Sequence, residues 1–183
     1  YESMGDAQSA KKMIDAIIVA NIDSAGTGEF FEILYNSRET QDPSRLIDYI
    51  QRKNKGGYLA AGIQEAMNLI RKKGDNPTLE ADLFLKLINM SESVSPSMLN
   101  SFSWRMSELE MNLDLAIDKI NIAIENVNDN EQKYMFIDTK AEILWKLKKI
   151  EEAIIEIEKC ISAFPKNEYY KEQLEKFQNS IIT

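Results

Sequence analysis

Two carboxylates and one thiol are the side chains of this sequence whose type or spacing could support chemistry. Asp138 and Glu142 are four residues apart, which places both on one face of a helix. Paired carboxylates can exchange protons with a substrate or bind a metal ion. The chain contains no histidine, and its single cysteine is Cys160. We expect no catalysis from the carboxylate pair, because no histidine accompanies it and its helix face is predicted to be solvated.

The absence of histidine and the single cysteine exclude several kinds of site. A Ser-His-Asp or Cys-His nucleophile pair cannot form within this chain. An intrachain disulfide, a CxxC pair and a zinc site of cysteine and histidine are excluded as well. Cys160 takes a small position on an apolar stripe, which predicts a buried and inert thiol. The sequence therefore predicts a protein that is not an enzyme and that has no cofactor and no metal.

The composition is that of a helical globular protein with an acidic surface. Of 183 residues, 44% are hydrophobic and 28% are charged, while only 7 are glycine and 4 are proline. So few turn-forming residues favour long helices over many short strands. A net charge of −8 argues against a nucleic-acid partner. No apolar run approaches the roughly 18 to 20 residues of a membrane span, so we expect no membrane insertion.

Helical periodicity predicts about ten helices in two regions. The first region, residues 1–94, contains five predicted helices near 7–23, 28–36, 43–54, 58–73 and 77–90. Gly26 and Gly28 interrupt the first of these, and Asp42-Pro43-Ser44 is a helix start signal. The boundary falls in the segment 91–97, which contains four serines and Pro96. The second region, residues 95–183, contains the most informative pattern.

The second region contains an internal repeat. The apolar face of a helix near 112–127 matches that of a helix near 149–164 at an offset of 37 residues. The members of the two faces are Leu113, Ala116, Ile117, Ile120, Ala123, Ile124 and Val127, followed by Ile150, Ala153, Ile154, Ile157, Cys160, Ile161 and Phe164. The preceding helices match at an offset of 38, through Leu99, Ser103, Met106 and Leu109 and then Ile137, Ala141, Leu144 and Leu147. A helix-turn-helix unit thus occurs twice in tandem, and stacking such units buries a continuous core.

This pattern resembles the tetratricopeptide repeat (TPR) family. The second unit has the spaced residues of that family in Ile137, Lys140, Ala141, Leu144, Ala153, Ile157 and Pro165. Lys140 departs from the usual large apolar residue, and the first unit has no closing proline. The resemblance implies an all-α, right-handed superhelix of stacked helix-turn-helix repeats. A final helix with Tyr170, Leu174, Phe177 and Ile181 on one face would cap it, and residues near 58–90 fit loosely as a degenerate further repeat.

The resemblance also implies a binding face. Repeats of this type bind extended segments on a concave surface that the first helix of each pair lines. The side chains that the family geometry places there are Asn100, Trp104, Glu108, Asp138, Glu142 and Trp145. Trp104 and Trp145 are the two tryptophans of the chain and would act as aromatic anchors. The alternative for both is packing against other helices. We expect a protein-interaction or scaffolding module with a protein or peptide partner.

Two alternatives to this function remain. Residues 99–104, LNSFSW, and 138–141, DTKA, resemble the helical extension that follows a thioredoxin-like domain in some bacterial exported proteins. That resemblance implies the accessory, non-catalytic part of a periplasmic thiol-disulfide protein. The chain begins at Tyr1 without an initiator Met or a visible signal peptide, so we expect part of a longer protein. Its location is periplasmic in the thioredoxin-like context and cytoplasmic otherwise. In the second alternative the repeats form a homodimer.

Overall fold

The computed structural model describes residues 7–19, 26–53, 56–91 and 93–180, and none of these lies in a β-strand. They form ten helices, which confirms the predicted all-α class. The helices are α1 (Ala7–Val19), α2 (Thr27–Thr40), α3 (Ser44–Arg52), α4 (Leu59–Lys73), α5 (Pro77–Asn89), α6 (Pro96–Leu109), α7 (Leu113–Asn126), α8 (Asn130–Lys146), α9 (Ile150–Ala163) and α10 (Glu168–Asn179).

Local sequence signals mark several helix ends. Gly26 and Gly74 have φ values of 72° and 69°, a backbone conformation that favours glycine, and they bound α2 and α4. The Asp42 carboxylate accepts hydrogen bonds from the Ser44 backbone and hydroxyl, at 3.2 and 2.8 Å, where α3 begins. Asn167 caps α10 through a 3.1 Å bond from the Tyr169 backbone. The predicted signals at Gly26 and at Asp42-Pro43-Ser44 therefore coincide with observed helix ends.

Two predicted N-terminal helices differ in extent from the observed ones. The helix expected near 28–36 continues to Thr40, because Gln41 is the first residue with a left-handed backbone, at φ 54°. The helix predicted near 7–23 is described to Val19, and residues 20–25 lie outside the described part of the chain. The spacing of Met13, Ile14, Ile17 and Ile18 predicts an apolar face on this helix, but Met13 is 52% exposed. The side chains of Ile17 and Ile18 lie outside the described residues.

The chain divides into two compact units, Tyr1–Leu87 and Ile88–Thr183. The N-terminal unit is built around an aromatic cluster. The Phe30 ring stacks on Tyr58 at 4.8 Å and lies 5.6 Å from Tyr49. Gly62 of α4 lies against this cluster, and a Cβ there would lie 3.5 Å from the Phe30 ring, an ordinary van der Waals distance. Arg71 of α4 pairs with the fully buried Glu80 of α5 at 2.7 Å, which ties these two helices together.

In the C-terminal unit, burial follows the period of the sequence repeat. α7 and α9 each have 14 residues and begin 37 residues apart. The residues at the matched central positions are fully buried in both helices: Ala116, Ile120, Ala123, Ala153, Ile157 and Cys160. The small side chains at four of these positions leave room for a neighbouring helix. α6 packs on α7 and α8, α8 also packs on α7 and α9, and α10 packs on α9.

The last helix covers the end of this unit, as its apolar face predicts. Tyr170 and Phe177 of α10 are buried in one cluster with Ala141 and Leu144 of α8 and Ile157 of α9. Leu174 packs against the same cluster, whereas Ile181 lies outside the described residues. α10 therefore closes the C-terminal core and contacts the helix that bears half of the predicted binding residues.

Candidate functional site

Three of the six predicted binding residues lie together in one pocket. Asn100 and Trp104 of α6 and Asp138 of α8 line a cavity of about 360 Å³. The other lining residues are Met135 and Thr139 of α8 and Tyr169 and Tyr170 of α10. We call this cavity the α6–α8–α10 pocket. Its volume falls at the lower end of the range of roughly 300–1,000 Å³ for ligand sites.

Asp138 provides the charge of the pocket. The Tyr169 hydroxyl donates a hydrogen bond to Oδ2 of Asp138 at 3.2 Å. The pKa of Asp138 is raised to about 6, mainly by burial and also by the nearby Glu142 carboxylate, while the Tyr169 hydrogen bond and Lys176 act in the opposite direction. Burial and the adjoining Asp138 carboxylate raise the pKa of the Tyr169 hydroxyl, so this group remains a hydrogen-bond donor at neutral pH.

The rest of the pocket is rich in aromatic and thioether surface. Met135 is 57% exposed and Tyr169 is 40% exposed, and both are among the most exposed large apolar side chains of the described chain. Trp104 is half-buried, and the rings of Tyr169 and Tyr170 lie 5.7 Å apart. Aromatic residues and methionine are enriched at the centres of protein interfaces. The pocket thus combines a carboxylate with apolar surface that solvent can reach.

Asn100 and Asp138 are related by the repeat. They are 38 residues apart, the offset at which the first helices of the two units match. The Asn100 Oδ1 atom is buried and has no hydrogen-bond donor among the described residues. An unsatisfied buried carbonyl oxygen has a free-energy cost that a ligand donor would remove. The two matched positions therefore both contribute side chains to the same pocket.

Glu142 and Trp145, also predicted for the binding face, are engaged by α10. The Glu142 carboxylate accepts a hydrogen bond from Lys176, and its side chain is 12% exposed. The Trp145 indole Nε1 donates to the Ser180 hydroxyl at 2.8 Å, and its ring lies 5.9 Å from the Phe177 ring. Lys176 Nζ lies 4.5 Å from the centre of the Trp145 ring. Both side chains thus hold α10 in place. For Trp145 this agrees with the alternative given in the sequence analysis, in which the ring packs against another helix.

Glu108 and Cys160 lie apart from the pocket lining. Glu108 is exposed and forms an ion pair with Arg105, one turn earlier on α6, at 2.9 Å. Such an exposed pair contributes little to stability. Cys160 is buried as predicted, with its thiol 3.4 Å from the carbonyl oxygen of Tyr134. Burial and the charges of Asp138 and Glu156 raise the pKa of Cys160 to about 12, so the thiol is protonated at neutral pH.

The sequence pattern does not identify four of the pocket residues. It assigns Tyr170 to the apolar face of the last helix and gives Met135, Thr139 and Tyr169 no role in binding. The adjacent tyrosines at the start of α10 are the available signal, because two successive residues of a helix point in different directions. One ring can enter the core while the other faces outward. Which tyrosine reaches Asp138 depends on how α10 packs on α8.

Neither a metal cluster nor a membrane-spanning helix occurs among the described residues. That part of the chain holds no group of three or more histidine, cysteine, aspartate or glutamate side chains suited to a metal ion. None of the described helices is both long and apolar enough to cross a membrane.

Comparison with known proteins gives no relative from which a function could be taken. No family model matches the sequence, and no curated protein and no solved structure is significantly similar to it. The functional interpretation therefore depends on the pocket and its surroundings.

Proposed function

We propose that residues 88–183 form a non-catalytic interaction module that binds a segment of a partner protein on the face formed by α6, α8 and α10. One observation carries this proposal. Asn100, Trp104 and Asp138, which come from two different helices, line a single open pocket with exposed aromatic and methionine surface. An open apolar pocket with a few polar groups is the usual form of a binding site.

The finer architecture that we propose for this unit is a TPR-like superhelix. Two observations support it: burial repeats at an offset of 37 residues, and α6 packs on both α7 and α8. In such a stack the first helices of successive pairs lie side by side and form one continuous surface. α10 would stand where the first helix of a further pair stands, which would extend that surface to Tyr169.

Selection from a random peptide library tests the function and does not require an identified partner. Displayed peptides are selected on the whole chain, resynthesised, and measured by fluorescence polarisation against the wild type and Trp104→Ala. We expect Trp104→Ala to weaken binding about 30-fold, which corresponds to about 2 kcal/mol for an aromatic anchor. Circular dichroism verifies that the variant retains the wild-type helix content.

Ile155→Ala is the matched control, because it truncates an apolar surface side chain elsewhere in the same unit. Ile155 lies on α9, is 56% exposed, and does not line the α6–α8–α10 pocket. We expect its affinity to equal that of the wild type. The proposal fails if the Ile155→Ala variant loses binding while Trp104→Ala keeps it. It also fails if no peptide is enriched on the wild type.

A further inference from the structure

The α6–α8–α10 pocket is lined by hydrogen-bond acceptors but, among the described residues, by no lysine or arginine side chain. In the described part of the chain Asp138 forms no ion pair, because the nearby Lys176 pairs with Glu142 instead. The Asn100 Oδ1 atom, on the opposite helix of the pocket, is buried without a donor. A positively charged hydrogen-bond donor would satisfy both groups at once.

The aromatic lining favours the same kind of ligand. Trp104, Tyr169 and Tyr170 line the pocket together with Asp138, and aromatic faces attract cations. Met135 adds exposed apolar surface that can cover an aliphatic chain. A ligand with a cationic head on an apolar stem therefore matches the pocket in both charge and polarity. The lysine side chain has this form.

The hydrogen bond from Tyr169 to Asp138 favours lysine over arginine as the cationic side chain of the ligand. It engages one oxygen of the Asp138 carboxylate, at 3.2 Å. An arginine guanidinium binds a carboxylate best as a fork that uses both oxygens. A lysine ammonium is a compact charge that needs a single carboxylate oxygen and can direct another N–H toward the Asn100 amide. The remaining acceptors thus suit an ammonium better than a guanidinium.

Building on the interaction function proposed above, we infer that the α6–α8–α10 pocket binds the ammonium group of a lysine side chain within an extended partner segment. Asp138 accepts the charge, Asn100 accepts a second N–H, and the rings of Trp104 and Tyr169 enclose the aliphatic stem. The acidic charge of the chain, −8 in total, attracts such a basic segment before contact.

Peptide pools with one fixed central residue test this specificity. The pools carry randomised flanks, a fluorescein-blocked amino terminus and an amidated end, and their central residue is lysine, norleucine, acetyl-lysine or arginine. Norleucine keeps the stem of lysine without its charge. We expect the lysine pool to bind the whole chain about tenfold or more tightly than the norleucine and acetyl-lysine pools, with arginine between them. Asp138→Asn should abolish this preference.

Glu131→Gln is the matched control for charge, because Glu131 is exposed in the first turn of the same helix. It should keep the lysine preference. Equal binding of the lysine and norleucine pools would overturn the lysine inference and leave the interaction function standing. A lysine preference that survives Asp138→Asn would also overturn it. A further pool lacks lysine but has a free amino terminus, and tighter binding of that pool would overturn the lysine inference in favour of a terminal amine. If no pool binds, the proposed interaction function is refuted as well.

Discussion

The contact between α8 and α10 has two ends that differ in how their polar and aromatic groups are used. At one end Asp138 meets Tyr169 beside an open cavity of about 360 Å³. At the other end Trp145 is covered by Phe177 and hydrogen-bonded to Ser180. Both ends carry a carboxylate and a tryptophan nearby, since Glu142 accompanies Trp145 and Trp104 accompanies Asp138.

The two ends differ in whether their polar groups find hydrogen-bond or ion-pair partners within the chain. Glu142 has Lys176 as its partner, and the indole N–H of Trp145 has Ser180. In the open pocket the Asn100 oxygen has no donor among the described residues, and Met135 remains 57% exposed. A tryptophan whose polar and apolar parts are satisfied within the fold supports stability. A tryptophan beside unsatisfied acceptors is available to a partner, and the following variants test this division.

Phe177→Ala should have the largest effect on folding. Phe177 is fully buried in the cluster that α8, α9 and α10 share. Truncation leaves a cavity and should lower the free energy of unfolding by about 3–5 kcal/mol. Urea unfolding followed by circular dichroism measures this change. The control is Tyr169→Ala at the open end, which should cost less than about 1 kcal/mol because Tyr169 is 40% exposed. Equal losses of unfolding free energy in the two variants would contradict the distinction between a closed, stabilising end and an open end.

The two tryptophans should separate stability from binding. Trp145→Ala should destabilise the chain by about 2–3 kcal/mol, below the range of a fully buried aromatic because Trp145 is half-buried. Trp104 is also half-buried, but within the described residues its side chain has neither the hydrogen bond nor the ring contact that Trp145 has. Trp104→Ala should therefore cost less, about 1 kcal/mol, but should lose affinity for selected peptides. Urea midpoints and fluorescence polarisation on the same samples give both quantities. A larger stability loss for Trp104→Ala than for Trp145→Ala would reverse the assignment.

Asp138 should make the stability of the chain depend on pH. Its pKa rises from 3.8 to about 6 on folding, so the folded state holds this proton more tightly than the unfolded state. The contribution of Asp138 to stability should therefore fall as pH increases from about 4 to about 6 and then level off, by about 1–3 kcal/mol. Asp138→Asn removes this titration and should be more stable than the wild type at pH 7.

The readout for Asp138 is the difference in unfolding free energy between the wild type and Asp138→Asn across pH. Other carboxylates titrate in both proteins and cancel in that difference. Glu142, Lys176 and Tyr169 face Asp138 and are unchanged by the substitution. A difference that does not change between about pH 4 and pH 7 would show that Asp138 is not desolvated on folding. If binding uses the ionised carboxylate, affinity for lysine peptides should also fall below about pH 6.

Lys176→Met should have the smallest effect, at the closed end. Lys176 pairs with Glu142, whose side chain is 12% exposed, and lies over the Trp145 ring. Its loss should cost about 1 kcal/mol, which combines a partly buried ion pair with a cation–π contact. Lys171→Met on the same helix is the control, and should cost less than about 0.5 kcal/mol, because Lys171 is 46% exposed and pairs with a well-exposed Glu168. Equal urea midpoints for the two variants would contradict a stabilising role for Lys176.

Local signals in the sequence were sufficient for the helical framework. Glycine, proline and capping residues bound α2, α3, α4 and α10 near the predicted positions, because these residues act through their own backbone geometry. The repeat also predicted which faces are buried: Ala116 and Ala153, 37 residues apart, are both fully buried. A helix can be buried in such a stack only along its apolar stripe, so periodicity determines burial.

Only the tertiary structure shows which residues of the predicted binding face are covered and which are open. The resemblance to the TPR family implied that Trp104 and Trp145 lie on the same surface, since both are on first helices of the two units. The packing of α10 on α8 decided that Trp145 is covered while Trp104 borders a cavity. It also brought Tyr169 within hydrogen-bond distance of Asp138, 31 residues earlier in the chain.

The sequence by itself determined the helices, their apolar faces and the repeat, because each depends on neighbours in the chain. The pocket was decided only by the tertiary structure, because its walls come from three helices whose relative positions no local pattern specifies.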